Sequence, residues 1–260
     1  MRNCAAFSSP TQPRCKKEGT VICRFCGENR KLVKAHIIPA AFFGRLQHGQ
    51  YSPMILMNKK GEYPKRARRG IYDNRILCGS CESQFGDWDN YAQEVLEEPP
   101  NHATPIMYGG QIIGYEIKEY KHDLLKLFFI SVLWRASVSE TSFYERIDLG
   151  PYEAQAKRLI AQRDPGLVYD FAVTLARFDH LLGGTILDPH TDRLGGINYC
   201  RFYLGGYVAY IKVDKRRPPE PHPYFCLKPN EPLKIIARNL EKSAELKLIK
   251  AAIAANKSFH

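Results

Sequence analysis

The residues of this chain best suited to chemistry are cysteines that occur in pairs. Cys23-Arg24-Phe25-Cys26 and Cys78-Gly79-Ser80-Cys81 each separate two thiols by a two-residue spacer, which lets one tight backbone turn present both sulfurs to the same ion. Together they make four thiolates, a complete tetrahedral shell for zinc. A closed shell has no open position for a substrate, so the zinc is expected to be structural, contributing folding free energy because only the native chain assembles its site. Gly27 and Gly79 permit the sharp turns that follow knuckle ligands. The other cysteines lack this pattern: Cys4 and Cys15 read as incidental thiols, and Cys200 and Cys226, in strand-like surroundings, read as core residues.

Between the two pairs runs Lys34-Ala35-His36-Ile37-Ile38-Pro39, a histidine in a short β-like run that Pro39 ends. Imidazole has an ordinary pKa of ~6.5 and can accept a proton at neutral pH, as a general base must. A lone histidine in a strand also reads as a satisfied structural residue. Asp73 and Asn74 each carry an acceptor oxygen for an imidazole N–H. Glu82 follows the last knuckle cysteine, and a helix starting there brings Asp89 round to the same side two turns later. Their oxygens suit a hard cation such as magnesium or manganese. The plainer reading of Glu82, Asp87 and Asp89 is a solvated face that complements the helix dipole. Lys59, Lys60, Lys65, Arg66, Arg68, Arg69 and Arg75 form a dense basic stretch, readable as a soluble loop or as a phosphate-binding rim without sequence specificity.

The ordered combination of C-x-x-C, A-H-I-I-P and L-C-x-x-C leading into a helix resembles the HNH endonuclease family in its cysteine-bearing form, over residues 21–96. That resemblance implies a ββα-metal, treble-clef-like fold in which a β-hairpin carries the histidine. It implies that His36 deprotonates a water that attacks the scissile phosphate of DNA, while a single magnesium or manganese ion stabilises the developing charge. Asn74 or Asp73 takes the family's middle position and orients His36. Two positions depart from the family pattern: Ala35 stands where an Asp or His commonly binds the catalytic metal, and Glu82 where a histidine often follows the last cysteine. Glu82 and Asp89 then either rebuild the cation shell or mark its loss. Phage defence and restriction are roles the resemblance suggests.

The elements that must position these groups follow from pattern and composition. The expected class is α+β, with a flexible basic arm over 1–19, a zinc-stapled module over 20–100, and an accessory lobe of helices and antiparallel strands over 109–260. Phe85, Trp88, Ala92 and Val95 share one helical face before Pro99 and Pro100. Residues 124–138 are apolar nearly all round and read as a buried helix, followed by helices over 152–162 and 240–255. Strands are expected over 171–178, 198–204 and 207–213, the last two closed on Gly205-Gly206 because both turn residues need positive φ. Asp188 to Asp192 reads as a turn. A net charge of +11 raises the local concentration of polyanions, which makes nucleic acid, and DNA first, the expected partner. The first twenty residues are broken by Pro10, Pro13, Arg14, Lys16 and Lys17 and do not read as a signal peptide, so a soluble cytoplasmic protein without a membrane partner is expected. Three functions fit: an HNH-type nuclease, a degenerate HNH module that binds nucleic acid without cutting it, and a zinc-stapled protein-interaction module.

Overall fold

The computed structural model describes residues 22–47, 53–57, 65–67, 69–97, 103–179 and 185–255. The arm over 1–19, Lys59, Lys60 and Arg68 lie outside them. In chain order the first elements are β1 (Ala35–His36), α1 (Ala40–Gly44), β2 (Met54–Leu56), β3 (Lys65–Arg66), β4 (Tyr72–Asp73), α2 (Gly79–Glu82) and α3 (Gly86–Val95). After them come β5 (Thr104–Tyr108), β6 (Gln111–Ile117), α4 (His122–Ser137), α5 (Glu153–Gln162), β7 (Val173–Phe178) and β8 (Thr185–Leu187). The chain continues through β9 (His190–Leu194), β10 (Ile197–Leu204), β11 (Tyr207–Lys212), α6 (His222–Phe225), β12 (Leu233–Arg238) and α7 (Ala244–Ala255). The class is α+β.

Seven strands form one sheet in the order β5-β6-β12-β7-β11-β10-β9. All its pairings are antiparallel except β12 with β7, which run parallel. Three hairpins in it close on glycine pairs, Gly109-Gly110, Gly195-Gly196 and Gly205-Gly206, each with positive φ at both residues, as the twist of a two-residue β-turn requires. The hairpin at Gly205-Gly206 was legible in the sequence, and the other two were not. Residues 188–192 depart from the expected turn, because His190 to Leu194 is an edge strand paired with β10.

α4 lies in the centre with α3 and α5 packed along it. It is buried on nearly every side from Leu125 to Ala136, which explains a helix sequence with no polar face. One apolar cluster runs from Cys23 and Phe42 through α4 to Leu175, Phe202 and Ile235, so no break in the core falls near residue 109. A smaller cluster, with Phe178, Tyr199, Tyr203, Tyr210, Leu240 and Ile249, lies under α7. The basic insertion is not wholly loop in its described part: β3 pairs with β2, and β2 pairs in parallel with β8. Among the described residues no helix is long and apolar enough to cross a membrane.

The hairpin tip at Gly205 sits against α1. A Cβ there would stand 2.8 Å from the carbonyl oxygen of Phe42, at φ +56°, whereas Gly109 has the same φ and open space around it. Gly205→Ala and Gly109→Ala therefore share the cost of a left-handed backbone and differ only in the clash. In urea denaturation Gly205→Ala is expected to lower the midpoint clearly more than Gly109→Ala. Equal shifts would mean that the tip does not press on α1.

Candidate metal centre and histidine site

The first cysteine pair is set by a tight local fold. Ile22 and Asn29 bridge, the Cys23 N–H donates to the Glu28 carbonyl (3.0 Å), and the Gly27 N–H donates to the Cys23 carbonyl (2.9 Å). Gly27 takes φ +76° to allow this return. The second pair opens a helix: Cys78 is the extended residue before α2, and its carbonyl accepts from the N–H groups of Cys81 (3.1 Å) and Glu82 (2.9 Å). Backbone bonds from Arg24 N–H to the Ile76 carbonyl and from Val33 N–H to the Leu77 carbonyl, both 2.9 Å, join the two turns. The Cys78 N–H also reaches the Cys23 Sγ at 3.4 Å.

As a result the four sulfurs lie within 4.8 Å of one another, and Cys26 Sγ and Cys78 Sγ are 4.0 Å apart. Tetrahedral zinc with bonds of ~2.3 Å needs sulfurs roughly 3.8 Å apart, so the cluster is of the right size to close on one ion. These four cysteines can hold a metal ion such as zinc. The Ser80 hydroxyl beside Cys78 Sγ, at 3.3 Å, helps lower that thiol to about 6, whereas burial pushes the Cys81 thiol well above its ordinary value. A divalent cation supplies the positive charge that lets all four ionise together.

The β1–β4 ladder pairs His36 with Tyr72 and Ala35 with Asp73. The His36 and Tyr72 rings meet edge to face, 6.0 Å between centroids, and Lys34 Nζ lies 5.0 Å from the Tyr72 ring centre. Because a carbonyl can only accept, His36 Nε2–H donates to the Arg69 oxygen at 3.0 Å. In the neutral ring Nδ1 is then the basic nitrogen. The Arg69 carbonyl is aimed by Gly70, at φ +76°, where a Cβ would stand 2.5 Å from the Phe43 ring. His36 is thus oriented by a backbone oxygen.

The expected side-chain orienters are elsewhere. Asp73 is buried and lies in register with Ala35, one residue along from the Tyr72–His36 pair, on the other face of the ladder. Its Oδ1 accepts from Arg75 N–H (2.9 Å), and its Oδ2 accepts from Glu140 N–H (2.9 Å) and the Ser139 hydroxyl (3.0 Å). Asp73 therefore ties the β1–β4 ladder to the turn after α4. Asn74 is exposed; among the described residues no bond joins it to His36.

Asp89 is also committed. Arg135, a fully buried side chain, grips it with both fork nitrogens (Nη1 to Oδ2 3.0 Å, Nη2 to Oδ1 2.7 Å). The same guanidinium donates from Nη1 to the His36 carbonyl (2.7 Å) and from Nη2 to the Ser131 hydroxyl (3.1 Å), and stacks 4.9 Å from the Phe85 ring centre. The two oxygens of Asp89 thus neutralise a buried cation. Glu82 is half-buried on α2. Among the described residues the four cysteines form the one group of three or more potential ligands close enough to share an ion, so Glu82, Asp89 and His36 are not brought together as a second site.

Of the basic residues, Arg69 is exposed beside His36, and Lys65 and Arg66 are exposed on β3. Arg75 instead joins an ion-pair chain: its Nη1 meets Glu140 at 2.8 Å, and Arg24 meets the same carboxylate at 3.1 Å. Sequence reasoning missed Arg135. The available signal was a charge inside a largely apolar helix, four residues after Ser131, since an ion in such a place needs a partner. Comparison with family models, curated proteins and solved structures gives no match.

Protein purified without chelator is expected to contain one zinc per chain, measured by atomic emission. Zinc added to stripped protein should release protons, because thiols such as Cys81 are held protonated without it, and affinity should fall as pH falls. Cys78→Ser should lose the zinc. A metal-free protein that binds zinc no better than Cys78→Ser would contradict the four-thiolate site.

Proposed function

We propose that the chain is a zinc-stapled HNH-type endonuclease that hydrolyses phosphodiester bonds in DNA, with His36 as the general base. On this reading the β1–β4 ladder followed by α2 and α3 is a treble-clef-like ββα-metal unit, and zinc on Cys23, Cys26, Cys78 and Cys81 holds it. The observation that carries the reading is the setting of His36. Its Nε2 is engaged by the Arg69 carbonyl, so Nδ1 is the nitrogen able to take a proton from water, and Lys34 and Arg69 stand beside it on the rim. The water's proton passes to Nδ1, the hydroxide attacks phosphorus, and the leaving oxygen departs as an alcohol after taking a proton from solvent. Arg69, Lys65 and Arg66 hold the phosphate backbone without reading bases.

The magnesium or manganese ion implied by the family resemblance does not fit the described side chains. Ala35 has no ligand atom, and both Asp89 oxygens are held by Arg135. This same observation favours the second reading, a degenerate module that binds DNA through its basic rim and does not cut.

Plasmid incubated with the protein and either magnesium or manganese separates the two. Under the nuclease reading the parent nicks or linearises the plasmid, and His36→Ala lowers the rate by ~10²–10⁴ while zinc content and gel-shift affinity stay unchanged. A parent that shifts DNA but never cuts it supports the binding module. A His36→Ala variant that cuts as fast as the parent would remove His36 from the mechanism.

A further inference from the structure

The sheet face under α7 is unusual for a buried surface. Glu245, at 1 % exposure, accepts a two-pronged grip from Arg238 (Nη1 to Oε1 2.8 Å, Nη2 to Oε2 3.0 Å), a third bond from Arg201 Nη1 (3.2 Å) and a fourth from the Tyr203 hydroxyl (3.4 Å). Arg238 Nη1 also donates to the Tyr210 hydroxyl at 2.8 Å, and Arg201 Nη2 meets Asp192 at 2.5 Å. The two guanidinium planes lie over aromatic rings, Arg201 over Tyr210 (4.9 Å) and Arg238 over Phe178 (4.7 Å). Among the described residues Arg201 Nε is buried with no partner. Two arginines balance two carboxylates here, and one of these, Glu245, belongs to the terminal helix.

A planar fork plus a second arginine and a hydroxyl on one anion is the donor set that recognises phosphate. Around it Tyr199, Tyr203, Tyr210 and Phe178 place aromatic rings on one sheet face, the kind of platform on which unpaired bases stack. α7 covers this face through Ile249, which is buried, and Leu246, which is half-buried. Ile249 belongs to the small cluster and Leu246 packs against it, apart from the main core, so lifting α7 leaves the main core closed.

We propose that this face is a second, masked nucleic-acid site, with α7 as a displaceable cover and Glu245 standing where a backbone phosphate binds; the ligand is single-stranded nucleic acid. The proposal rests on the reading that the chain acts on nucleic acid. Single strands are specified because the bases of a duplex are already stacked and cannot use the rings. Among the described residues, removal of Glu245 leaves Arg201 and Arg238 with Asp192 as their one ion-pair partner, a site ready for an anion.

The test uses the full chain and a labelled oligothymidylate, followed by fluorescence anisotropy, with hydrogen exchange of the α7 amides read in parallel. Glu245→Gln keeps the shape and removes the charge, and is expected to bind about tenfold tighter than the parent, a change of about 1.4 kcal/mol. Adding Arg238→Gln to that variant should abolish the gain. In the parent, which needs no substitution to fold, α7 amides should exchange faster when the oligonucleotide is saturating. Equal affinity of parent and Glu245→Gln, absence of binding included, or α7 protection unchanged at saturation, overturns the proposal. Cleavage of duplex plasmid by the same preparations reads the His36 proposal separately.

Discussion

The four-sulfur cluster is the constraint on which the rest depends. It joins two turns whose ligands, Cys26 and Cys78, are 52 positions apart, and so fixes the ends of the segment that carries α1, β2, β3 and the β1–β4 ladder with its histidine. That ladder is otherwise slight. β1 and β4 pair through two residues each, far less than a free hairpin needs in water. What holds it is attachment at both ends: Arg24 to Ile76 and Val33 to Leu77 on the metal side, and Arg135 to the His36 carbonyl on the core side.

Arg135 makes the four-cysteine knuckle part of a larger domain. A buried guanidinium is costly to desolvate, and the cost is offset only when all its donors are used. Here Asp89 on α3, Ser131 on α4 and the β1 backbone use them. Removing one side of such a pair typically costs about 3–5 kcal/mol. The arrangement couples the position of His36 to the packing of the two central helices. It also explains how a carboxylate suitably spaced on a helix can be unavailable to a catalytic cation.

The parts legible in the sequence are those decided locally. Two cysteines with a two-residue spacer can meet one ion whatever surrounds them, so the knuckles at Cys23 and Cys78 were readable, as was α4, whose lack of a polar face leaves only burial. Gly205-Gly206 announced its hairpin through the φ it needs. The surroundings of Asp73 and Asp89 were not legible because their partners lie 67 and 46 positions away, beyond any spacing rule. Strands β5 and β6 escaped notice because Met107, Tyr108, Ile112 and Ile113 are exposed, which erases the alternation that marks a half-buried strand. β12 pairs in parallel with β7, about sixty positions earlier, a contact that no turn signal announces.

The central claim is that the zinc cluster holds His36 with Nε2–H on the Arg69 carbonyl and Nδ1 basic. Nitrogen-15 chemical shifts of the imidazole, recorded on zinc-loaded protein and again after chelation, test it most directly. The account predicts the Nε2–H tautomer in the loaded protein and a mixture of tautomers once zinc is removed. A loaded protein with the proton on Nδ1, or ring shifts unchanged by chelation, would contradict it.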